Sequence, residues 1–275
     1  GMADVLNARE LSSYLQGTCF WPAEKMHCYA EVDSTNTVAR QWAQKAANRE
    51  TRHGLAVTAE SQTAGKGRLG RPWNSLPGAG IWCSVVLAPP IALTEASRFS
   101  FIAAVAIAYG IKQYTNLEVQ IKWPNDLVLN KKKICGILTE MGTEFMEIKY
   151  VVIGTGINVN QEEFPEELRK TATSLYLETG KKYHRSRIIE RILEALEEYY
   201  GIFVKTEDMS ALLEEYNEKL VNQGQEVCVL DPKGEYRGLC QGITKTGGLL
   251  VELSDGTVTE VISGEVSVRG VYGYV

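Results

Sequence analysis

Residues 60–73, Glu-Ser-Gln-Thr-Ala-Gly-Lys-Gly-Arg-Leu-Gly-Arg-Pro-Trp, are the most telling stretch of the chain. From Gly65 to Arg71 three glycines alternate with three cations, and Trp73 closes the run. Glycine lets backbone N–H groups come close to an anion, and Lys and Arg side chains neutralise it. The preceding run at 54–60 reads as a strand, so the loop starts at a strand end, where ligand loops commonly sit. One reading is a phosphate-binding loop; the other is a solvated basic turn. A P-loop is excluded, because no Gly, four residues, Gly-Lys-Ser/Thr string occurs. Residues 65–70 match the letters of a dinucleotide fingerprint, but Pro72 disfavours helix at Arg71, where that motif needs one.

With 275 residues, 44% of them hydrophobic, the chain can bury one large core, or one core and a small satellite. A formal charge of −5 argues against a general nucleic-acid binder, so the loop cations suit a small anionic ligand. Cysteines at 19, 28, 83, 135, 228 and 240 show no Cys-x-x-Cys pairing, which argues against a zinc or redox motif and makes reduced thiols in a cytoplasmic protein the default. Cys135 has no neighbouring His and reads as packing. No apolar run is long enough to span a bilayer, and no signal peptide is evident.

Outward from the loop, 26–32 reads as a strand leading into Asp33-Ser34-Thr35-Asn36, residue types that cap helices. A helix follows to about Arg49, with Val38 and Trp42 on its apolar face. Strand 81–87 comes next, then an apolar helix capped by Thr94 and running to Tyr114. Strand 119–123 stops at Pro124, and 126–129 and 133–140 form a hairpin about Asn130 and Lys131. Strand 150–153 feeds a Gly154-Thr155-Gly156 turn and Asn158. Two charged helices lie near 185–204 and 206–222. After 222 helix signals vanish, and short strands (226–230, 235–243, 248–253, 257–262, 265–270) alternate with Gly-containing turns. The expectation is an α+β domain over 1–222 and a small β-barrel over 223–275 that packs on it.

Four polar clusters fall at strand ends or hairpins: residues 33–36, residues 62–73, Lys122-Trp-Pro-Asn-Asp126 with Lys133-Ile-Cys-Gly136, and residues 154–160. Side chains so placed can converge on one cleft. In this order and spacing they closely resemble the biotin–protein ligase family. The Gly-Lys-Gly-Arg loop, the Lys-Trp-Pro-Asn-Asp string and the Lys-x-x-Gly-Ile-Leu-x-Glu segment carry the resemblance across about residues 26–160, and the C-terminal segment also fits. It implies a mixed sheet with helices, like the class II aminoacyl-tRNA synthetases, and an SH3-like C-terminal barrel. It implies an enzyme that condenses biotin with ATP, with Mg²⁺, to biotinoyl-AMP and pyrophosphate. The biotinoyl group then passes to a lysine of a biotin carboxyl carrier domain of a biotin-dependent carboxylase.

By the same resemblance Ser34, Thr35 and Gln62 meet the ureido ring, whose N–H donors and carbonyl suit hydroxyl and amide partners. Helix capping explains Ser34 and Thr35 equally well, and both roles can hold. Gly65 and Gly67 bring N–H groups to the acyl phosphate, and Lys66 and Arg68 hold the carboxylate and the AMP phosphate. Lys66 departs from the commoner Arg, keeping the charge but losing the bidentate fork. Trp73 packs against the nucleotide, or anchors the loop. Asn125 and Asn158 match adenine-binding amides, the 154–156 turn lines the biotin pocket, and Arg269 matches a basic position near the ATP phosphates. Asn36, Arg71 and Thr155 complete the binding set. Lys133 is the main catalytic choice, because a fixed cation stabilises the charge built as a carboxylate attacks the α-phosphate. Gly136 allows close approach there, and Arg68 and Asp126 join the catalytic set. Asp126 either ligates Mg²⁺ or helps deprotonate the acceptor lysine. Lys131 and Lys132 read as solvated, and Lys122 as a structural salt-bridge partner.

The pattern begins near Met26, too early for the N-terminal winged helix-turn-helix of repressor relatives, so a ligase-only form that binds neither DNA nor membrane is expected, as monomer or homodimer. A lipoate–protein ligase and a non-catalytic biotin or nucleotide sensor are the alternatives. A dithiolane offers no strong hydrogen bonds, and Lys133, Asp126 and Arg68 are all kept, which favours the biotin ligase.

Overall fold

The computed structural model describes residues 4–91, 97–264 and 266–275. In chain order the first elements are α1 (Ala8–Tyr14), β1 (Met26–Val32), α2 (Thr35–Lys45), α3 (Arg49–Arg52), β2 (Ala56–Gln62), β3 (Gly80–Leu87) and α4 (Arg98–Thr115). Then come β4 (Gln120–Lys122), β5 (Asp126–Leu129), β6 (Lys132–Glu144), β7 (Glu147–Asn158), α5 (Leu175–Thr179), α6 (Arg185–Thr206) and α7 (Leu213–Lys219). Seven strands form one sheet in the order β1-β2-β3-β7-β6-β5-β4. β1 and β2 run parallel and the other ladders are antiparallel, which makes the sheet mixed.

Period-two alternation splits the sheet between two cores. On β3, Ile81, Cys83, Val85 and Leu87 face the larger core with α4 and α6, while Val86 faces a smaller one under α2. α4 is apolar nearly all round and is buried almost throughout its first fourteen residues, 98–111, as such a helix must be. Thr94, the expected cap of this helix, lies outside the described residues. Among the described residues no helix is long and apolar enough to cross a membrane.

Four local expectations need correction. The helix after β1 ends at Lys45, not Arg49, because Ala46 is extended and Asn48 caps a new turn, accepting from Thr51 N. On α2, Ala39 and Ala43 are fully buried, whereas the bulkier Val38 and Trp42 are only partly so. Small residues let the helix lie close on β2 and β3. Residues 154–158 are not a turn: β7 continues through Asn158, with Gly154 opposite Ser84 and Gly156 opposite Trp82. The last charged helix is also shorter than 206–222, since Glu207 turns left-handed at φ 60° and helix resumes only at Leu213.

The chain then forms β8 (Glu226–Leu230), β9 (Tyr236–Ile243), β10 (Leu249–Glu252), β11 (Val258–Val261) and β12 (Ser267–Gly270). They pair antiparallel in the order β11-β10-β9-β8-β12. Val227, Val229, Leu249 and Val251 join the same apolar cluster as α4 and α6. Trp123 Nε1 donates to Gly247 O at 2.8 Å. A sheet this small has little core of its own, so packing on the larger domain stabilises it.

Candidate active site

One cavity of about 490 Å³ gathers residues from all four polar clusters and from β12. Of the site residues expected from sequence, Ser34, Thr35, Asn36, Gln62, Lys66, Gly67, Arg68, Arg71, Trp73, Asn125, Asp126, Lys133, Gly136, Gly154, Thr155, Gly156, Asn158 and Arg269 line it. Gly65 does not. It packs behind the loop, where a Cβ would come within 2.8 Å of Gln62 Nε2, Ser75 Oγ and Trp73 O.

The floor is built by register. Gly136 on β6 pairs with Gly156 on β7, and the Trp73 ring covers both. A Cβ at Gly136 or Gly156 would meet that ring at 2.8 or 2.7 Å. Trp73 Nε1 is buried without a hydrogen-bond partner and packs over Gly156, 2.7 Å from where a Cβ there would stand. Asn125 Nδ2 donates to Ile137 O at 2.8 Å, and Asn158 Oδ1 accepts from Gln161 Nε2 at 3.0 Å.

At one end hydroxyl and amide groups form a chain. Thr35 Oγ1 and Ser84 Oγ lie 2.7 Å apart, and Ser84 Oγ donates to Asn36 Oδ1 at 2.6 Å. Asn36 Nδ2 donates to Glu140 Oε1 at 2.9 Å, and Glu140 in turn lies 3.6 Å from Arg40. Gly154 makes room for Asn36, whose Oδ1 would be 2.2 Å from a Cβ there. Ser34 occupies the N-cap position of α2, yet its hydroxyl makes no capping bond. Gln62 reaches across from β2 instead, its Oε1 accepting from Thr35 N at 2.8 Å while Nε2 donates to Ser75 Oγ. Capping is therefore done by Gln62, which leaves the Ser34 hydroxyl on the cavity wall.

Cations crowd the other end. Lys133 is gripped through its backbone: its N–H donates to Thr171 O at 2.7 Å and its carbonyl accepts from Thr173 N at 2.9 Å. Its Nζ lies 2.9 Å from Asp126 Oδ1 and 5.0 Å from the centre of the Trp73 ring. Lys66 and Arg71 are exposed at the mouth. Gly67 N–H donates to Arg71 O at 2.6 Å, closing the loop on itself. Arg68 donates through Nη2 to Gly264 O and Val266 O, so the second domain holds the loop's central cation. Burial lowers the Arg68 pKa, with Asp126 opposing the shift. Arg269 Nη1 donates to Gly270 O at 2.8 Å. Cys135, the thiol nearest this chemistry, is fully buried, and burial pushes its pKa up, which keeps it inert.

Lys122 is not the salt-bridge partner its sequence context suggested. Its Nζ is buried, donates to Val268 O at 2.9 Å and sits 4.3 Å over the Tyr274 ring. Burial pulls its pKa down to about 8, against the pull of Asp126. Glu140, which closes the Lys-x-x-Gly-Ile-Leu-x-Glu segment, takes part through Asn36, and Ser84 and Tyr274 are participants that the sequence reading does not single out. Ser84 had a visible signal, a lone hydroxyl inside the apolar run 81–87. Tyr274 had none.

Residues 29–158 match the biotin/lipoate A/B protein ligase family, and residues 224–269 match the biotin protein ligase C-terminal domain. The bifunctional ligase/repressor BirA of Bacillus subtilis is 36% identical over 82% of this chain and 69% of its own length. The chain belongs to the biotin protein ligase family. Its α+β architecture accords with that of the biotin protein ligase from Aquifex aeolicus solved with biotin and ATP, at a TM-score of 0.78 and 31% identity, over 89% of this chain and 98% of that one. The biotin–[acetyl-CoA-carboxylase] ligase of Mycobacterium tuberculosis is 33% identical over 78% of each chain. In this family member the two matched segments are the ones that meet at the cavity, where Arg68 bonds to Gly264 and Val266 and Lys122 to Val268 of β12.

Proposed function

We propose that this protein is a biotin–protein ligase that forms biotinoyl-AMP from biotin and ATP and then biotinylates a lysine of a carboxylase carrier domain. The observation that carries this reading is the polarity of this cavity: a neutral hydroxyl–amide chain at one end and a cluster of fixed cations at the other. The Ser34, Thr35 and Gln62 end suits a cyclic urea, and the Lys133, Arg68 and Arg269 end suits phosphates.

In the first step a carboxylate oxygen of biotin forms a bond to the α-phosphorus as the bond to pyrophosphate breaks. Lys133, held at both ends, meets the charge that builds on the phosphoryl oxygens without having to reorganise. In the second step the neutral amine of the carrier lysine attacks the acyl carbon, AMP departs and one proton is released. The loop from Gly65 to Trp73 shields the mixed anhydride from water between the two steps.

The donor set does not make a resident magnesium site. Among the described residues no three His, Cys, Asp or Glu side chains converge, and Asp126 is already engaged by Lys133 and Tyr274. Mg²⁺ bound mainly by substrate phosphates fits this site better than a protein-held ion. ATP as co-substrate and six cysteines without a disulfide fit a cytoplasmic enzyme.

Incubation with biotin, ATP and a carrier domain should release pyrophosphate and raise the carrier mass by one biotinoyl group. Equal turnover of lipoate, or no mass change on the carrier, would contradict the reading. Ser84→Ala should weaken biotin binding by about 1 kcal/mol, since Thr35 and Asn36 each lose a partner that orients them. Calorimetric titration with biotin checks this, and an unchanged affinity would remove Ser84 from the recognition chain.

A further inference from the structure

Asp126 is approached from two sides. Its Oδ1 pairs with Lys133 Nζ at 2.9 Å, and its Oδ2 accepts a hydrogen bond from the Tyr274 hydroxyl. Tyr274 stands in the segment after β12, which folds back so far that a Cβ on Gly270 would lie 2.2 Å from the carbonyl carbon of Val275. The same tyrosine touches a second lysine: Lys122 Nζ lies 4.3 Å from its ring centre and donates to Val268 O, not to Asp126.

Three cations compete for this one carboxylate, because Lys122 and Arg68 both feel the Asp126 charge although neither is bonded to it. A carboxylate with a free oxygen can rotate toward any of them. The phenol removes that freedom by occupying Oδ2, and its ring covers the ammonium nearest to it. We propose that Tyr274 is a positioning residue for adenylation: it anchors Asp126 so that the carboxylate's other oxygen fixes Lys133 against the reacting phosphate. This role rests on the biotin-activating reading of the cavity. It assigns to the second domain a direct part in the geometry of the reaction, since small displacements of a catalytic group are costly.

The test compares native protein with Tyr274→Phe, Asp126→Asn and the double variant, in single-turnover formation of biotinoyl-AMP and in steady-state kcat and KM. Phenylalanine keeps the ring over Lys122 and removes only the hydroxyl. The expected result is a loss of about tenfold in the adenylation rate for Tyr274→Phe, with KM for biotin within about twofold of native, as for one lost hydrogen bond to a charged group. In the Asp126→Asn background the same change should cost nothing further, because the tyrosine acts through that carboxylate. A Tyr274→Phe rate equal to native, or an equal loss in both backgrounds, overturns the role while leaving the function standing. Native protein that forms no biotinoyl-AMP overturns both.

Discussion

Lys133→Ala should slow formation of biotinoyl-AMP by about 3–4 kcal/mol of barrier, the order seen when a single transition-state donor is removed. The magnitude follows from how Lys133 is held. Its backbone is bonded on both sides to residues 171–173, and its ammonium is fixed by Asp126 at 2.9 Å. Lys122 cannot take its place, since it is buried and tied to Val268 O. Biotin affinity should change little, because the hydroxyl–amide chain from Thr35 to Glu140 does not involve Lys133. Rapid-quench measurement of the adenylate under single turnover reads this directly, and an unchanged rate would remove Lys133 from the chemistry.

Arg68→Gly should weaken retention of biotinoyl-AMP by about 1.5–3 kcal/mol, the range for hydrogen bonds to a charged group. Among the described residues Arg68 is the loop cation that bonds to the second domain, while Lys66 and Arg71 are exposed at the mouth. For Arg68 to meet a phosphate it must exchange two backbone carbonyls for the ligand. Loss of the side chain thus removes the phosphate contact in the complex and, in the free protein, the tie to Gly264 and Val266. Released adenylate acylates amines without selection, so the variant should label bystander proteins mixed with the carrier. Mass spectrometry of such a mixture checks the outcome; labelling confined to the carrier would contradict it.

Much of this was legible locally. The hairpin about Asn130 and Lys131, the buried helix α4 and the succession of short C-terminal strands come from turn chemistry and hydrophobic period, which act over a few residues. So do the strand ends that bring the four polar clusters to one cavity. Where the reading failed, the cause acts over long distances. Gly154 and Gly156 look like turn residues, but they are glycine because Asn36 and the Trp73 ring occupy the space of their side chains. Val38 and Trp42 look like the seam of α2, but the close approach of sheet and helix gives that place to Ala39 and Ala43. The partner of Lys122 lies on β12, and Tyr274 reaches Asp126 from the far end of the chain, so neither contact leaves a trace in nearby sequence.

The most direct measurement is a crystal structure of the protein with a non-hydrolysable analogue of biotinoyl-AMP. The expected result is one ligand spanning the cavity, with its urea against Ser34, Thr35 and Gln62 and its phosphoryl oxygens in contact with Lys133 and with an Arg68 that has left Gly264 and Val266. A urea bound away from those three residues, or a phosphoryl group beyond the reach of both cations, would contradict it.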